Sequence, residues 1–227
     1  MKDIPKSVTE QVDWSRIIEA YTPLHVRYPQ GELIYQAGTY AAGAYLITDG
    51  LVGDQCTPPR KTHRRLPLEI LGPGDLIGLE ILLKDSANLY LSCARAITET
   101  DLLFFEREVF LDILKEEEEV NRHCLDGLSQ RLYSLKRWTA SLFYASVEER
   151  LCRLLLDLAN RYGKSEGERI YLLPPEITRA TIAQLLGASE AKIKRAISLL
   201  PEVSSSGRIA LSPEALHLWL TDRSRTS

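Results

Sequence analysis

Asn121–Leu142 reads N-R-H-C-L-D-G-L-S-Q-R-L-Y-S-L-K-R-W-T-A-S-L, and its spacing governs how the rest of the chain is read. Asn121, Leu125, Leu128, Leu132, Leu135, Thr139 and Leu142 alternate four and three apart, which keeps them on one narrow stripe of a helix. Between them stand Arg122, Asp126, Gln130, Arg131, Ser134, Lys136 and Arg137, all comfortable in water. So thin a stripe does not suit a broad core. It fits a second copy of itself across a two-fold axis, with Leu125, Leu128, Leu132, Leu135 and Leu142 as the dimer interface. An ordinary amphipathic helix packed on its own domain is the alternative. Strand-like sequence precedes the stripe and helix-like sequence follows it, so the segment is both a candidate seam and a joint.

Working outward, 227 residues suit two domains, each with enough material for a core. No run of about 18 apolar residues exists, which excludes a membrane-spanning helix. Residues 1–21 are polar and lack the apolar centre of a secretory signal, so a cytoplasmic protein is expected. Cys56, Cys93, Cys124 and Cys152 are widely spaced and form no C-x-x-C, so free thiols in a reducing compartment are expected. A redox role for Cys56 or Cys93 stays open. The net charge is −3, but it is unevenly spread. From Val147 onward there are 12 Lys and Arg against 10 Asp and Glu, a balance of +2, which leaves −5 for the rest. Clustering of the positive charge, rather than its total, decides whether it reads nucleic acid. The acidic run Glu116–Glu119 reads as a solvated helix face.

Before the stripe, Val12–Tyr21 predicts a short helix with Trp14, Ile17 and Ile18 on one side. From Leu24 to Phe105, glycines interrupt short β-rich runs such as Leu33–Tyr35, Ala44–Ile47 and Leu89–Ile97. Many short strands with glycine turns suggest a sandwich or jelly roll. Asp49-Gly50 and Gly72-Pro73-Gly74-Asp75 are turn chemistry. Basic, polar Pro58–Arg65 suits an exposed hairpin tip. Helix resumes over Glu106–Lys115. The expected division is a β-rich domain over 1–115, a dimerisation helix and hinge over 116–146, and a helical domain over 147–227.

After the stripe, Leu142–Ser146 breaks the heptad pattern and marks a hinge. Val147–Tyr162 predicts a helix with Leu151, Leu154, Leu155 and Leu158 inward, Gly163–Gly167 a turn, and Arg169–Leu173 a strand. Thr178 can cap a helix whose inner positions are Ile182, Leu185 and Leu186. Gly187 supplies a sharp turn, and Ala183 is small enough for two helices to approach. Ser189 caps a second helix with Ile193, Ala196, Ile197 and Leu200 buried. Helix, glycine turn and helix in about two dozen residues are the mark of a helix-turn-helix, and Ser204–Leu211 around Gly207 can form a wing. Opposite the buried face of the second helix lie Ala191, Lys194, Arg195 and Ser198, with Lys192 on the flank. That face is cationic and free of large apolar groups, as a major-groove surface requires. A plain helical hairpin with solvated lysines is the alternative.

Taken in order, these features resemble the catabolite-activator/fumarate-nitrate-reductase (CRP/FNR) regulator family from Tyr28 onward. Tyr28-Pro29-Gln30-Gly31-Glu32-Leu33-Ile34, Gly43-Ala44-Tyr45-Leu46-Ile47-Thr48-Asp49-Gly50, Gly74-Asp75-Leu76-Ile77-Gly78 and Ile177-Thr178-Arg179…Ile182-Ala183…Leu186-Gly187-Ala188-Ser189 carry the resemblance. It implies an α+β chain: an N-terminal jelly roll of the cyclic-nucleotide-binding kind, a long dimer helix and a C-terminal winged helix-turn-helix. It also implies a homodimer whose reading heads are positioned by an effector with different affinity for two arrangements.

The departures from that family's pattern are informative. Cyclic-AMP binders place a glutamate directly after Gly-Asp-x-x-Gly to hold the ribose; here Gly78 is followed by Leu79, with Glu80 one position late. They set an Arg-Ser pair on the phosphate, where this chain has Tyr90-Leu91, and a Thr-Ser pair on the adenine, where it has Leu135-Lys136. A buried phosphate without its cation is costly, so cyclic-AMP dependence is not expected. The pocket around Gly78, Leu79, Glu80, Tyr90, Leu91 and Leu135 takes a different small molecule, or the protein acts without one. No cofactor is expected: the first cysteine comes too late for an N-terminal iron–sulfur cluster. His25, His63, His123 and His217 are isolated, and no H-x-H suggests zinc or iron.

At the start of the second helix, family members that read the common operator carry Ser-Arg-Glu-Thr. This chain carries Ser189-Glu190-Ala191-Lys192. Arg195 stands where the family's arginine reads guanine, Ala191 replaces the glutamate, and Glu190 replaces an arginine, so a non-standard operator is expected. Thr178, Arg179, Ser189 and Lys192 suit phosphate contacts. The expected function is a homodimeric, sequence-specific regulator that binds double-stranded DNA, with RNA polymerase as a further partner. An effector-binding dimeric sensor with a degenerate DNA head, acting through protein contacts, is the alternative. No nucleophile–base pair, metal triad or spaced carboxylate pair suggests an enzyme.

Overall fold

The computed structural model describes residues 12–56, 66–83, 88–167, 169–205 and 207–224. The expected hairpin tip at Pro58–Arg65 lies outside them. The chain divides into two compact units, 1–134 and 135–227.

In the first unit, α1 (Trp14–Tyr21) is capped by Asp13, whose side chain accepts from the Arg16 amide at 3.3 Å. Ile17 is fully buried, whereas Ile18 faces outward. Eight antiparallel strands follow. One sheet runs β1 (Leu24–Tyr28), β8 (Thr100–Glu106), β3 (Gly43–Asp49), β6 (Leu76–Ile77). The other runs β2 (Leu33–Tyr35), β7 (Cys93–Ala96), β4 (Val52–Cys56), β5 (Leu66–Leu71). These eight strands form the expected β domain, whose core includes Ile34, Tyr35, Leu46, Ile47, Val52, Leu102 and Phe105. Strand alternation fails at Ile34 and Tyr35, which are both buried, because the β2–β7 register shifts between Leu33 and Tyr35. The β-rich run Leu89–Ile97 is shorter as a strand than its composition suggests; Leu89 makes only an isolated bridge to Tyr40.

Helix α2 (Arg107–Glu116) leads into α3 (Glu118–Tyr144), 27 residues long. The acidic run between them is not merely solvated. Arg16 reaches Glu117 at 2.6 Å and Glu119 at 2.5 Å, and the Tyr21 hydroxyl donates to Glu116 at 2.9 Å, which fastens α1 beside α3. Val120, His123 and Cys124 form the buried face at the start of α3. His123 Nε2 donates to the Gly74 carbonyl at 2.8 Å, and its ring meets Trp14 edge-on.

The helix runs through Leu142 to Tyr144, so the break is confined to Ala145–Ser146 rather than spread over Leu142–Ser146. Ser146 caps α4 (Val147–Tyr162) in a reciprocal box with Glu149: the Glu149 amide donates to Ser146 Oγ, and the Ser146 amide to the Glu149 carboxylate. Helix α4 buries Leu151, Leu155, Leu156 and Leu158, while Leu154 is half-exposed. Its buried face is wider than a single stripe because α6 (Glu190–Ile197) and α7 (Pro213–Ser224) both pack on it. The expected turn at Gly163–Gly167 is shorter than its composition suggests. Lys164–Glu166 forms β9, pairing with β10 (Ile170–Leu172) around Gly167. With β11 (Val203–Ser204) and β12 (Ala210–Leu211) they make a small antiparallel sheet ordered β11-β12-β10-β9.

Candidate functional site

Two capped helices build the cationic face. Thr178 Oγ accepts the Thr181 amide at 3.2 Å and starts α5 (Arg179–Leu185). The chain leaves α5 through Gly187, whose φ of +59° lies in the left-handed region that a side chain would strain. Ser189 Oγ then accepts the Lys192 amide at 3.4 Å and starts α6. Ile182 and Ala183 of α5 and Ile193, Ala196 and Ile197 of α6 are buried between the helices and α4. That packing fixes which way α6 turns its other face. Glu190, Ala191, Lys192, Lys194, Arg195 and Ser198 are exposed, as are Thr178 and Arg179. Among the described residues, Lys192, Lys194 and Arg195 join no ion pair. A small uncompensated cationic surface with flanking hydroxyls and helix N-termini can take phosphate oxygens and base edges.

Along α3, Leu125, Leu128, Leu132, Leu135 and Leu142 are 59%, 37%, 55%, 56% and 52% exposed. Phe143 and Tyr144 extend the exposed apolar surface at the helix end. A lone helix seldom leaves five leucines of one stripe in water, and such a surface marks an interaction site.

The residues expected around an effector pocket fall into distinct positions. Gly78 precedes a short 3-10 helix (Leu79–Leu82) in which Leu79 packs on the core. Tyr90 is 3% exposed and stacks on Tyr35 with ring centroids 4.0 Å apart, whereas Leu91, at 61%, points to solvent. The Glu80 carboxylate accepts from the Leu91 amide at 3.3 Å and from Ser92 Oγ at 3.2 Å. Leu135 belongs to the second unit and is exposed.

Three residues near this pocket lie outside the resemblance motifs. Tyr35 donates its ring to the stack and accepts the Gly78 amide at 3.1 Å. Asp54 of β4 faces Ser92, Glu80 and Arg131; burial, then the neighbouring Glu80, pushes its carboxyl above the usual range. Arg131, on the inner side of α3, donates to the Leu76 carbonyl. The register shift in β2 hid Tyr35, and Asp54 lies in a run with no motif. Arg131 appears in sequence only as a polar spacer between leucines.

Known proteins share this arrangement. The cyclic nucleotide-binding domain family matches residues 25–117. The chain is 29% identical over 179 residues to a CRP-like cAMP-activated global transcriptional regulator of Mycobacterium tuberculosis, covering 76% of this chain and 75% of that one. The c-di-GMP responsive global regulator CLP of Xanthomonas campestris is similar in fold, with a TM-score of 0.73 at 20% identity over 88% of this chain and 99% of that one. FixK2 of Bradyrhizobium japonicum is similar too, with a TM-score of 0.71 at 22% identity over 86% and 96% of the two chains. The matched proteins whose names state a role are regulators of gene expression. The chain is thus similar, in sequence and in fold, to regulators of the CRP/FNR family.

A cyclic nucleotide, which that family's β domain implies, does not fit the residues present. Tyr90 lies buried in the ring stack, Leu91 carries no charge, and the carboxylates of Asp54 and Glu80 both face Ser92. A phosphodiester there would meet the Glu80 carboxylate, and the guanidinium facing this corner, Arg131, is already held by the Leu76 carbonyl and Glu69.

Proposed function

We propose that this chain is a homodimeric, sequence-specific DNA-binding transcription regulator that does not depend on cyclic AMP and reads a non-standard operator. In this reading 1–115 is the sensor domain, 116–146 the dimer helix and hinge, and 147–227 the DNA-binding domain. The protein works in the cytoplasm and meets RNA polymerase at its promoters. The observation that carries the reading is the exposed, unpaired Lys192-Lys194-Arg195 face of a capped α6. A two-fold dimer joined along the α3 leucines would present two such faces to half-sites about 34 Å apart.

Specificity in this reading rests on Arg195, whose fork suits guanine O6 and N7, with Ala191 against a thymine methyl and Glu190 accepting from a cytosine amine. Thr178, Arg179, Ser189 and Lys192 hold phosphates and set register. Ser198 and Lys194 flank the base-reading side.

Binding selections from random duplexes test this directly. The wild type is expected to enrich a two-fold symmetric site, and Arg195→Ala to relax one base pair per half-site at a cost of about 1–3 kcal/mol. Unchanged base preference at every position removes Arg195 from the reading. Failure to bind any duplex at low salt favours a sensor acting through protein contacts instead.

A further inference from the structure

The corner beside Tyr90-Leu91, where the family's pattern sets its phosphate-holding pair, is occupied by the chain's own groups. Four chain segments converge there and hold one another. Gly78 enters the 3-10 helix with a φ of +76°, and a Cβ there would lie 2.9 Å from the Gly43 carbonyl oxygen and 3.2 Å from the Tyr90 ring. Its amide donates to the Tyr35 hydroxyl at 3.1 Å, and the Tyr90 hydroxyl donates to the Gly43 carbonyl at 2.8 Å. Tyr35 and Tyr90 are both buried and stacked face to face. Two residues beyond Gly78, one oxygen of Glu80 collects both the Leu91 amide and the Ser92 hydroxyl.

We propose that the β domain is closed from within: Glu80 acts as a tethered anion on the Leu91–Ser92 corner, and the Tyr35–Tyr90 stack fills the adjoining space. The closed arrangement then needs no small molecule. A carboxylate fixed on a neighbouring 3-10 helix meets these donors without the association cost that a free ligand carries. It also repels any second anion arriving at the same donors. An effector shifts a two-state equilibrium only through differential affinity; here that preference is covalently part of the chain. The contact itself lies within the first unit. Its consequence for DNA binding rests on the proposed regulator reading.

The test uses the full-length protein and its Glu80→Ala and Glu80→Gln variants. Hydrogen exchange of the segment holding Leu91 and Ser92 reports the contact, and duplex affinity without added ligand reports its consequence. In Glu80→Ala the segment is expected to exchange about 10-fold faster, as fits the loss of a charge-assisted contact. Sodium formate should restore protection in that variant, while sodium chloride at equal ionic strength does not. Formate should leave the wild type unchanged. Glu80→Gln keeps the volume and an acceptor without the charge, and is expected to fall between the two. Duplex affinity should fall and recover in parallel with protection.

Unchanged exchange in Glu80→Ala overturns the proposal. So does faster exchange that formate fails to restore, which would make Glu80 a mere packing residue, or a Gln variant indistinguishable from wild type. Added protection of the wild type by cyclic AMP or cyclic GMP overturns it as well. If formate rescues exchange but the wild type binds no duplex, the internal closure stands and the regulator reading fails.

Discussion

Arg131 of α3 donates from Nη2 to the Leu76 carbonyl of β6 at 2.6 Å and, with His123 on the Gly74 carbonyl, clasps the long helix to the β domain. Its Nε lies 3.5 Å from the Glu69 carboxylate of β5, and the side chain is 24% exposed. A charged donor on a sheltered carbonyl contributes about 1.5–3 kcal/mol. Arg131→Ala is therefore expected to lower stability by that amount in urea denaturation, with Arg131→Lys in between. A loss under about 0.5 kcal/mol would remove the clasp from the account.

The leucine stripe makes a second prediction. Burying a half-exposed leucine regains about 1 kcal/mol, so the stripes of two helices together supply on the order of 10 kcal/mol against the cost of association. Leu132→Glu subtracts from that sum and sets like charges across the seam. Sedimentation equilibrium is expected to show a dimer for the wild type and a monomer for the variant, with unchanged helix content by circular dichroism. A variant that stays dimeric would move the interface off this stripe.

Cys124 and Cys152 make stability fall at alkaline pH. Burial pushes the Cys124 thiol up to about 11 and the Cys152 thiol up to about 12. A raised folded pKa means the folded state holds its proton longer than the unfolded state does. The associated stability is complete below the unfolded value near 9 and is lost as pH rises through 11 to 12. Denaturation between pH 8 and 11 should show this loss, reduced in Cys124→Ala. A slope unchanged by the substitution would contradict the assignment.

Asp54 acts with the same sign in a lower pH range. Burial, then the nearby Glu80, raises its carboxyl, and its Oδ1 is buried without a hydrogen-bond partner. Stability tied to its protonated form is present in acid and lost as pH rises through the folded pKa. Asp54→Asn should then raise stability at pH 7 and leave it nearly unchanged at pH 4. A variant less stable at pH 7 would show that the charge itself is needed.

The helical half of the chain was the more legible in sequence. Thr178 and Ser189 announced their helices because capping is local chemistry that side-chain oxygens perform without tertiary help. The α3 leucines were legible because a heptad repeat survives any choice of partner. In the β domain the turns were visible, but the pairing was not. The shift between Leu33 and Tyr35 buries two consecutive residues, which period-two reading cannot anticipate. In sequence Glu80 is only a glutamate one place late, since its partners at Leu91 and Ser92 are set by three-dimensional closure. Helix α7 is hard to recognise in sequence, as its apolar residues have almost no one-sided pattern.

Sedimentation of the full-length protein with its best selected duplex tests the central claim most directly. Two chains per duplex are expected, assembled without any added nucleotide, on a site whose half-sites lie about one helical turn apart. A single chain on the duplex, or assembly only after a cyclic nucleotide is added, would contradict it.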